Sequence, residues 1–70
     1  MMRGTEDYGL PVLLVRPEDA ATLLGLGRTK VYELMRSGAL RSVKIGGLRR
    51  IPASALTDFV VQLERRERVA

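Results

Sequence analysis

The chain has 70 residues, with 12 Lys and Arg against 8 Asp and Glu, a formal net charge of +4, and neither Cys nor His. A chain of this length holds one small domain that buries roughly 60% of the surface its unfolded form exposes, which leaves no room for a deep substrate cavity. Without thiols or imidazoles, disulfides, Cys/His zinc sites and Cys or His catalysis are excluded, and no enzyme chemistry, metal or cofactor is expected.

Hydrophobic residues make up 46% of the chain, enough for a globular core. The longest apolar run, Val12 to Val15, falls far short of the roughly 20 residues of a membrane span, so no membrane association is expected. Residues 1–10 mix small, charged and polar types without periodicity and read as a flexible lead-in to a domain spanning 11–64. They lack the apolar stretch of a signal peptide, which points to a cytoplasmic location.

After Pro11, the run Val12, Leu13, Leu14 and Val15 is too short for a helix and predicts a short buried strand or extended segment. Pro17 then suits a first helical position, and Glu18 and Asp19 set negative charge at the positive end of the helix dipole. Ala20, Ala21 and Leu24 form one apolar side, and Gly25 ends a helix of about two turns that must pack to be stable. Arg16 falls at the N-cap, where Ser, Thr or Asp serves better, so this start is expected to fray.

Gly25, Leu26 and Gly27 make a tight connector in which Leu26 is expected to plug the core. A second helix begins near Arg28 and buries Val31, Leu34 and Met35 at i, i+3 and i+4. That spacing turns Arg28, Thr29, Lys30, Tyr32, Glu33 and Arg36 outward or to the edges. Gly38 closes the helix, with Ala39 or Leu40 supplying the accompanying apolar contact. Two helices joined by about three residues that include glycine form a helix-turn-helix pattern.

Beyond Leu40 the period changes to two. Val43 and Ile45 alternate with Ser42 and Lys44, Gly46-Gly47 turns the chain, and Leu48 to Ile51 returns it as a β-hairpin. A two-residue turn puts Arg50 on the face of Val43 and Ile45. A three-residue turn with Leu48 at the tip puts Arg49 and Ile51 there and lets Arg50 pair outward with Lys44. The second register is favoured because it buries Ile51. Pro52 suits the first turn of a third helix, with Ser54 close enough to cap it. Leu56, Phe59, Val60 and Leu63 then recur at i, i+3, i+4 and i+7, an amphipathic stripe that closes the core. The end of this helix is polar all round, and residues 65–70 are expected to fray.

Charge is unevenly placed. From Arg28 to Arg50 the chain carries Arg28, Lys30, Arg36, Arg41, Lys44, Arg49 and Arg50 against the single acid Glu33, a balance of +6, while the remainder carries −2. Such asymmetry suits a polyanion, since each neutralised phosphate releases condensed counterions. It also suits a solvated basic face that keeps the domain in solution.

The likeness to a known family rests on LLVRPEDAATLLGLGRTKVYELMRSGAL from Leu13 to Leu40 and VKIGGLRRIP from Val43 to Pro52. A helix pair, a Tyr in the second helix, a Ser-Gly stop and an Ile-Gly wing ending in Arg-Ile-Pro occur there in order. This resembles the small winged helix-turn-helix domains of the excisionase and AlpA family, relatives of the MerR DNA-binding head. The resemblance implies an α+β, mostly α fold: a winged helix-turn-helix with three helices, a short N-terminal extended segment and a two-stranded β-hairpin wing.

It further implies that the helix from Arg28 enters the major groove of double-stranded DNA, with Arg28, Thr29 and Lys30 at its base-reading end. Arg28 would read guanine by a bidentate contact. Tyr32 and Arg36 would position the backbone, and Lys44 and Arg50, with Arg49 as the alternative, would reach phosphates or the adjacent minor groove. Each residue also has a plainer role. Tyr32 can cover the core edge, Arg36 can pair with Glu33 or cap its helix, and Arg49 can lay its stem over the hairpin. Arg41 is expected to be solvated. Arg16 and Gly27 stand where the family usually has a hydroxyl cap, and Gly47 and Leu48 where the wing tip is often basic. Glu33 places an acid on a helix otherwise suited to phosphates, where it either repels them or accepts a hydrogen bond from cytosine.

The function implied is that of an excisionase, or recombination directionality factor, which binds near an attachment site and helps an integrase excise a mobile element. One helix and one wing bury only about 600 to 1,000 Å², so cooperative head-to-tail self-association or contact with integrase would supply the remaining specificity. The alternatives are a small MerR- or AlpA-like transcription regulator, with the same contacts, and a protein-interaction module that uses the third helix from Leu56 to Leu63.

Overall fold

The structure, a computed structural model, describes residues 12–69, so the expected lead-in over 1–10 lies outside the described residues. In chain order the elements are β1 (Leu14–Val15), α1 (Pro17–Leu24), α2 (Arg28–Ser37), β2 (Val43–Ile45), β3 (Leu48–Pro52) and α3 (Ala53–Val69). This is the expected winged helix-turn-helix arrangement, mostly helical with a small antiparallel sheet. The extended segment before α1 is itself a strand. It pairs with the free edge of β3, giving a three-stranded antiparallel sheet in the order β1-β3-β2. Its expected burial is not met: Leu13 and Leu14 are exposed and Val15 is half-buried, because only one face of so short a strand meets the helices.

Helix α1 begins at Pro17, and the Ala20 N–H donates to the Arg16 carbonyl at 2.9 Å. It ends at Gly25, whose φ of 72° is left-handed backbone that a side chain disfavours. There the Gly25 N–H donates to the Thr22 carbonyl and the Leu26 N–H to the Ala21 carbonyl. Leu26 therefore closes the helix through its backbone. Its side chain is 38% exposed and does not plug the core as expected.

The sharp turn sets α2 against α1, burying Val31 against Ala20 and Ala21. The α2 terminus is tied off by the Leu40 N–H, which donates to the Leu34 carbonyl at 3.0 Å, while the Leu40 side chain is buried beneath it. Of the two candidates for that apolar contact, Leu40 is the one inside. The core comprises Ala20, Ala21, Val31, Leu40, Ile51, Ala55 and Phe59. Three of the seven are alanines, so the elements approach closely and the body stays small.

The wing takes the two-residue turn, not the favoured three-residue one. Val43 faces Arg50, Lys44 faces Arg49 and Ile45 faces Leu48. Gly46 has φ +61° at the first central position, the type II′ requirement that matches the twist of the flanking strands. Ile51 is nonetheless fully buried. It sits across from Val15 on the opposite face from Val43 and Ile45, and that face meets the helices. The outer face is left with exposed Val43, Ile45 and Leu48.

Pro52 ends β3 instead of opening α3, and Ser54 falls inside the first helical turn. The Ala53 N–H, at the helix start, donates to the Leu13 carbonyl at 2.9 Å. Ala55 and Phe59 carry the buried side, with Leu56 packed beside them. Val60 and Leu63, expected in the core, are 40% and 41% exposed. A 17-residue helix spans about 25 Å and outruns the small body it packs on. Residues 65–69, assigned from the sequence to a frayed end, continue this helix. Among the described residues no helix is long and apolar enough to cross a membrane.

Candidate nucleic-acid interface

Helix geometry sets the first row of the site. Arg28, Tyr32 and Arg36 occur at i, i+4 and i+8 of α2 and so share one side over about 12 Å. Arg28, Thr29 and Lys30 form the exposed first turn, which holds no acid and whose N-cap, Gly27, makes no side-chain hydrogen bond. Lys30 lies 3.4 Å from Glu33, so Glu33 is engaged by Lys30 instead of by Arg36. Both are exposed, and a pair of this kind contributes little.

The wing supplies the second row. Lys44 and Arg49 face each other across the hairpin, on the same sheet face as buried Ile51. That face is turned toward the helices, and beyond Ile51 it runs out past the core. Arg49 is held there by a 3.0 Å hydrogen bond from its Nη1 to the Ser42 hydroxyl. Arg50, on the other face, is half-buried and bends back so that its Nη1 donates to the Arg49 carbonyl at 2.8 Å. The expected partnership of Lys44 with Arg50 is thus replaced by Lys44 with Arg49, a consequence of the two-residue turn.

Two open concavities join these rows. Tyr32, Met35, Arg36 and Arg49 line one. Tyr32 and Arg49 line the other as well, together with Arg16, Arg50 and the wing-tip residues Gly47 and Leu48. Tyr32 is 39% exposed and lines both openings on the side of α2 that they share with Arg49 of the wing. The fold therefore brings together Tyr32, Arg36, Arg49 and Arg50, and Lys44 joins them through its register with Arg49. Arg28, Thr29 and Lys30 lie toward the other end of the same helix. Arg41 is solvated, as expected, and within that exposed position it pairs with Asp58 at 2.9 Å, between the segment after α2 and α3.

Sequence reasoning passed over two side chains of the site. Ser42 orients Arg49. Arg16, considered only as a poor cap, borders the second concavity and forks onto Asp19, Nε to Oδ2 at 3.1 Å and Nη2 to Oδ1 at 3.3 Å. Those hydrogen bonds hold the Asp19 carboxyl below its ordinary range; desolvation opposes the shift, and the charges of Arg16 and then Arg50 add to it. The same bonds raise Arg16. The signal in the sequence was the position of Arg16 next to strand residue Val15, which a paired β1 carries to the wing. Among the described residues no cluster of carboxylates could hold a metal ion.

Such a surface, cationic along a helix and along a hairpin edge beside it, can neutralise a line of phosphates while presenting the helix to a groove. Comparison with known proteins agrees with that chemistry. A family model described as a helix-turn-helix domain matches residues 14–62. The chain is 53% identical over 51 residues to a probable excisionase of Saccharopolyspora erythraea, covering 73% of this chain and 52% of that protein. It is 50% identical over 50 residues to an excisionase of Streptomyces ambofaciens, covering 71% of this chain and 79% of the relative. It is also 37% identical over 51 residues to the magnetosome protein MamR of Paramagnetospirillum magneticum, covering 73% and 61%. The match thus spans about half the length of the first of these relatives. No solved structure matches the chain at a significant level.

Proposed function

We propose, from the premise that this chain belongs to the helix-turn-helix domain family and to its small excisionase-type members, that it is a sequence-specific DNA-binding excisionase. In this reading it binds duplex DNA beside an attachment site and helps an integrase excise a mobile element, without doing chemistry itself. The observation that carries the reading is that Tyr32 of α2 and Arg49 of the wing border both concavities, so that cations from two elements line adjoining openings.

Arg28, Thr29 and Lys30 then face base edges, with Arg28 suited to guanine O6 and N7. Tyr32, Arg36, Lys44, Arg49 and Arg50 hold the backbone, which fixes register without reading sequence. One helix and one wing give a small interface, so copies arrayed head to tail, or contact with integrase, raise the effective concentration at the site.

The test combines footprinting on attachment-site DNA with an excision assay containing the cognate integrase. Protection of a discrete site next to the integrase sites, with excision dependent on this protein, is expected. Protection without discrete boundaries, or excision that proceeds equally without the protein, contradicts the reading.

A further inference from the structure

Arg16 lies outside the basic segment in sequence, yet the fold carries it to the wing. β1 pairs with β3 as Leu14 to Pro52 and Val15 to Ile51, so the next step of that register sets Arg16 beside Arg50. Arg16, Arg49, Arg50 and Tyr32 border one opening. Glu18 borders it too, and Asp19 clasps Arg16, so three guanidinium groups face two carboxylates. The clasp is solvent-exposed, with 60% of the Arg16 side chain and 51% of the Asp19 side chain accessible. A pair this exposed is weakly held.

We propose that Arg16 is a further DNA-backbone residue, exchanging the Asp19 carboxylate for a phosphate when duplex DNA seats against the wing. The inference rests on the DNA-binding reading above. A guanidinium fork that accepts two carboxylate oxygens accepts two phosphate oxygens in the same geometry. Asp19, once released, still lies in the field of Arg50. The carboxylate therefore holds the place of a phosphate in the free protein and opposes binding to any duplex, whatever its sequence.

The decisive variant is Arg16→Ser, because Ser is the better N-cap and the fold should hold or gain stability while the cation is lost. Anisotropy titrations on an attachment-site duplex and an unrelated duplex, over about 0.05 to 0.3 M salt, read the effect. The log-log slope should become shallower by about 0.9, and affinity should fall roughly fivefold at 0.15 M salt, on both duplexes alike. The melting temperature should not drop. Asp19→Asn should tighten binding to both duplexes, and it decides the matter if Arg16→Ser fails to fold.

A folded Arg16→Ser protein with the wild-type slope and affinity, or an Asp19→Asn protein that binds no more tightly, overturns the inference. If the wild-type protein itself shows no salt-dependent duplex binding, the DNA reading falls and takes this inference with it. A normal wild-type slope beside an unaffected Arg16→Ser variant removes the inference alone.

Discussion

Lys44 stands directly across the hairpin from Arg49, on the sheet face that carries the buried Ile51. Like charges placed directly opposite each other across a strand pair destabilise it. Ser42 secures Arg49 but does nothing to neutralise it. A wing that keeps both cations is at odds with itself until an anion arrives.

Lys44→Ala should therefore separate stability from binding. Relief of the opposed charges leaves thermal stability unchanged or slightly higher, while affinity for all duplexes falls alike and the salt slope drops by about one unit. Melting curves and anisotropy titrations on the same preparation check both halves. A selective loss on one DNA sequence would assign Lys44 to base reading instead.

Arg28 sits at the first position of α2, on the same side of the helix as Tyr32 and Arg36. Arg28→Ala should cost about 1 to 3 kcal/mol of preference for the attachment site over unrelated DNA. Affinity for unrelated DNA should change far less. Competition between specific and non-specific duplexes reads the ratio, and an unchanged ratio removes Arg28 from the base-reading set.

Ile51 is fully buried where the central strand meets the helices. Truncation there loses both the transfer free energy and the fit, about 2 to 5 kcal/mol for Ile→Ala and about 0.5 to 1.5 for Ile→Val. A core of this size rarely supplies more than about 3 to 5 kcal/mol of stability. Ile51→Ala should leave the domain largely unfolded at 25 °C, and Ile51→Val should lower its denaturant midpoint while keeping it folded. Circular dichroism with urea titration distinguishes these outcomes.

The helix pair and its boundaries were legible because the signals are local: Pro17 opens α1, Gly25 turns the chain, and Val31, Leu34 and Met35 set the inner side of α2. The wing register was not. Burial of Ile51 depends on β1 occupying the far edge of β3, a pairing between residues 14–15 and 51–52 that hairpin patterning does not contain. The exposure of Val60 and Leu63 has a similar origin, since periodicity defines a stripe but not how far the partner surface extends. Charge and family resemblance point to Tyr32, Arg36, Lys44, Arg49 and Arg50; in the fold Tyr32, Arg36 and Arg49 line one concavity, Lys44 lies across from Arg49, and Arg50 sits on the other sheet face, bordering the second concavity. Nothing local in the sequence marks Arg16 as part of the site, since its role as a cap is poor and its other neighbours are distant along the chain.

The Asp19 carboxyl titrates below its ordinary value of 3.8, first through its hydrogen bonds from Arg16. A folded pKa below the unfolded one means the ionised form stabilises the fold above the ordinary aspartate range, and that stabilisation is lost as pH falls through the folded value. Carboxyl NMR titration should place Asp19 below an unpaired aspartate in the wild-type protein and return it upward in Arg16→Ser. An Asp19 titration identical in both proteins would mean that the clasp is absent in solution.

The central claim, that α2 and the wing together fit a double helix, is tested most directly by the salt dependence of wild-type binding to an attachment-site duplex. About five or six phosphate contacts predict a log-log slope near −5, with weaker binding to unrelated duplexes throughout. A flat response, or equal affinity for any polyanion with no preferred DNA site, would contradict it.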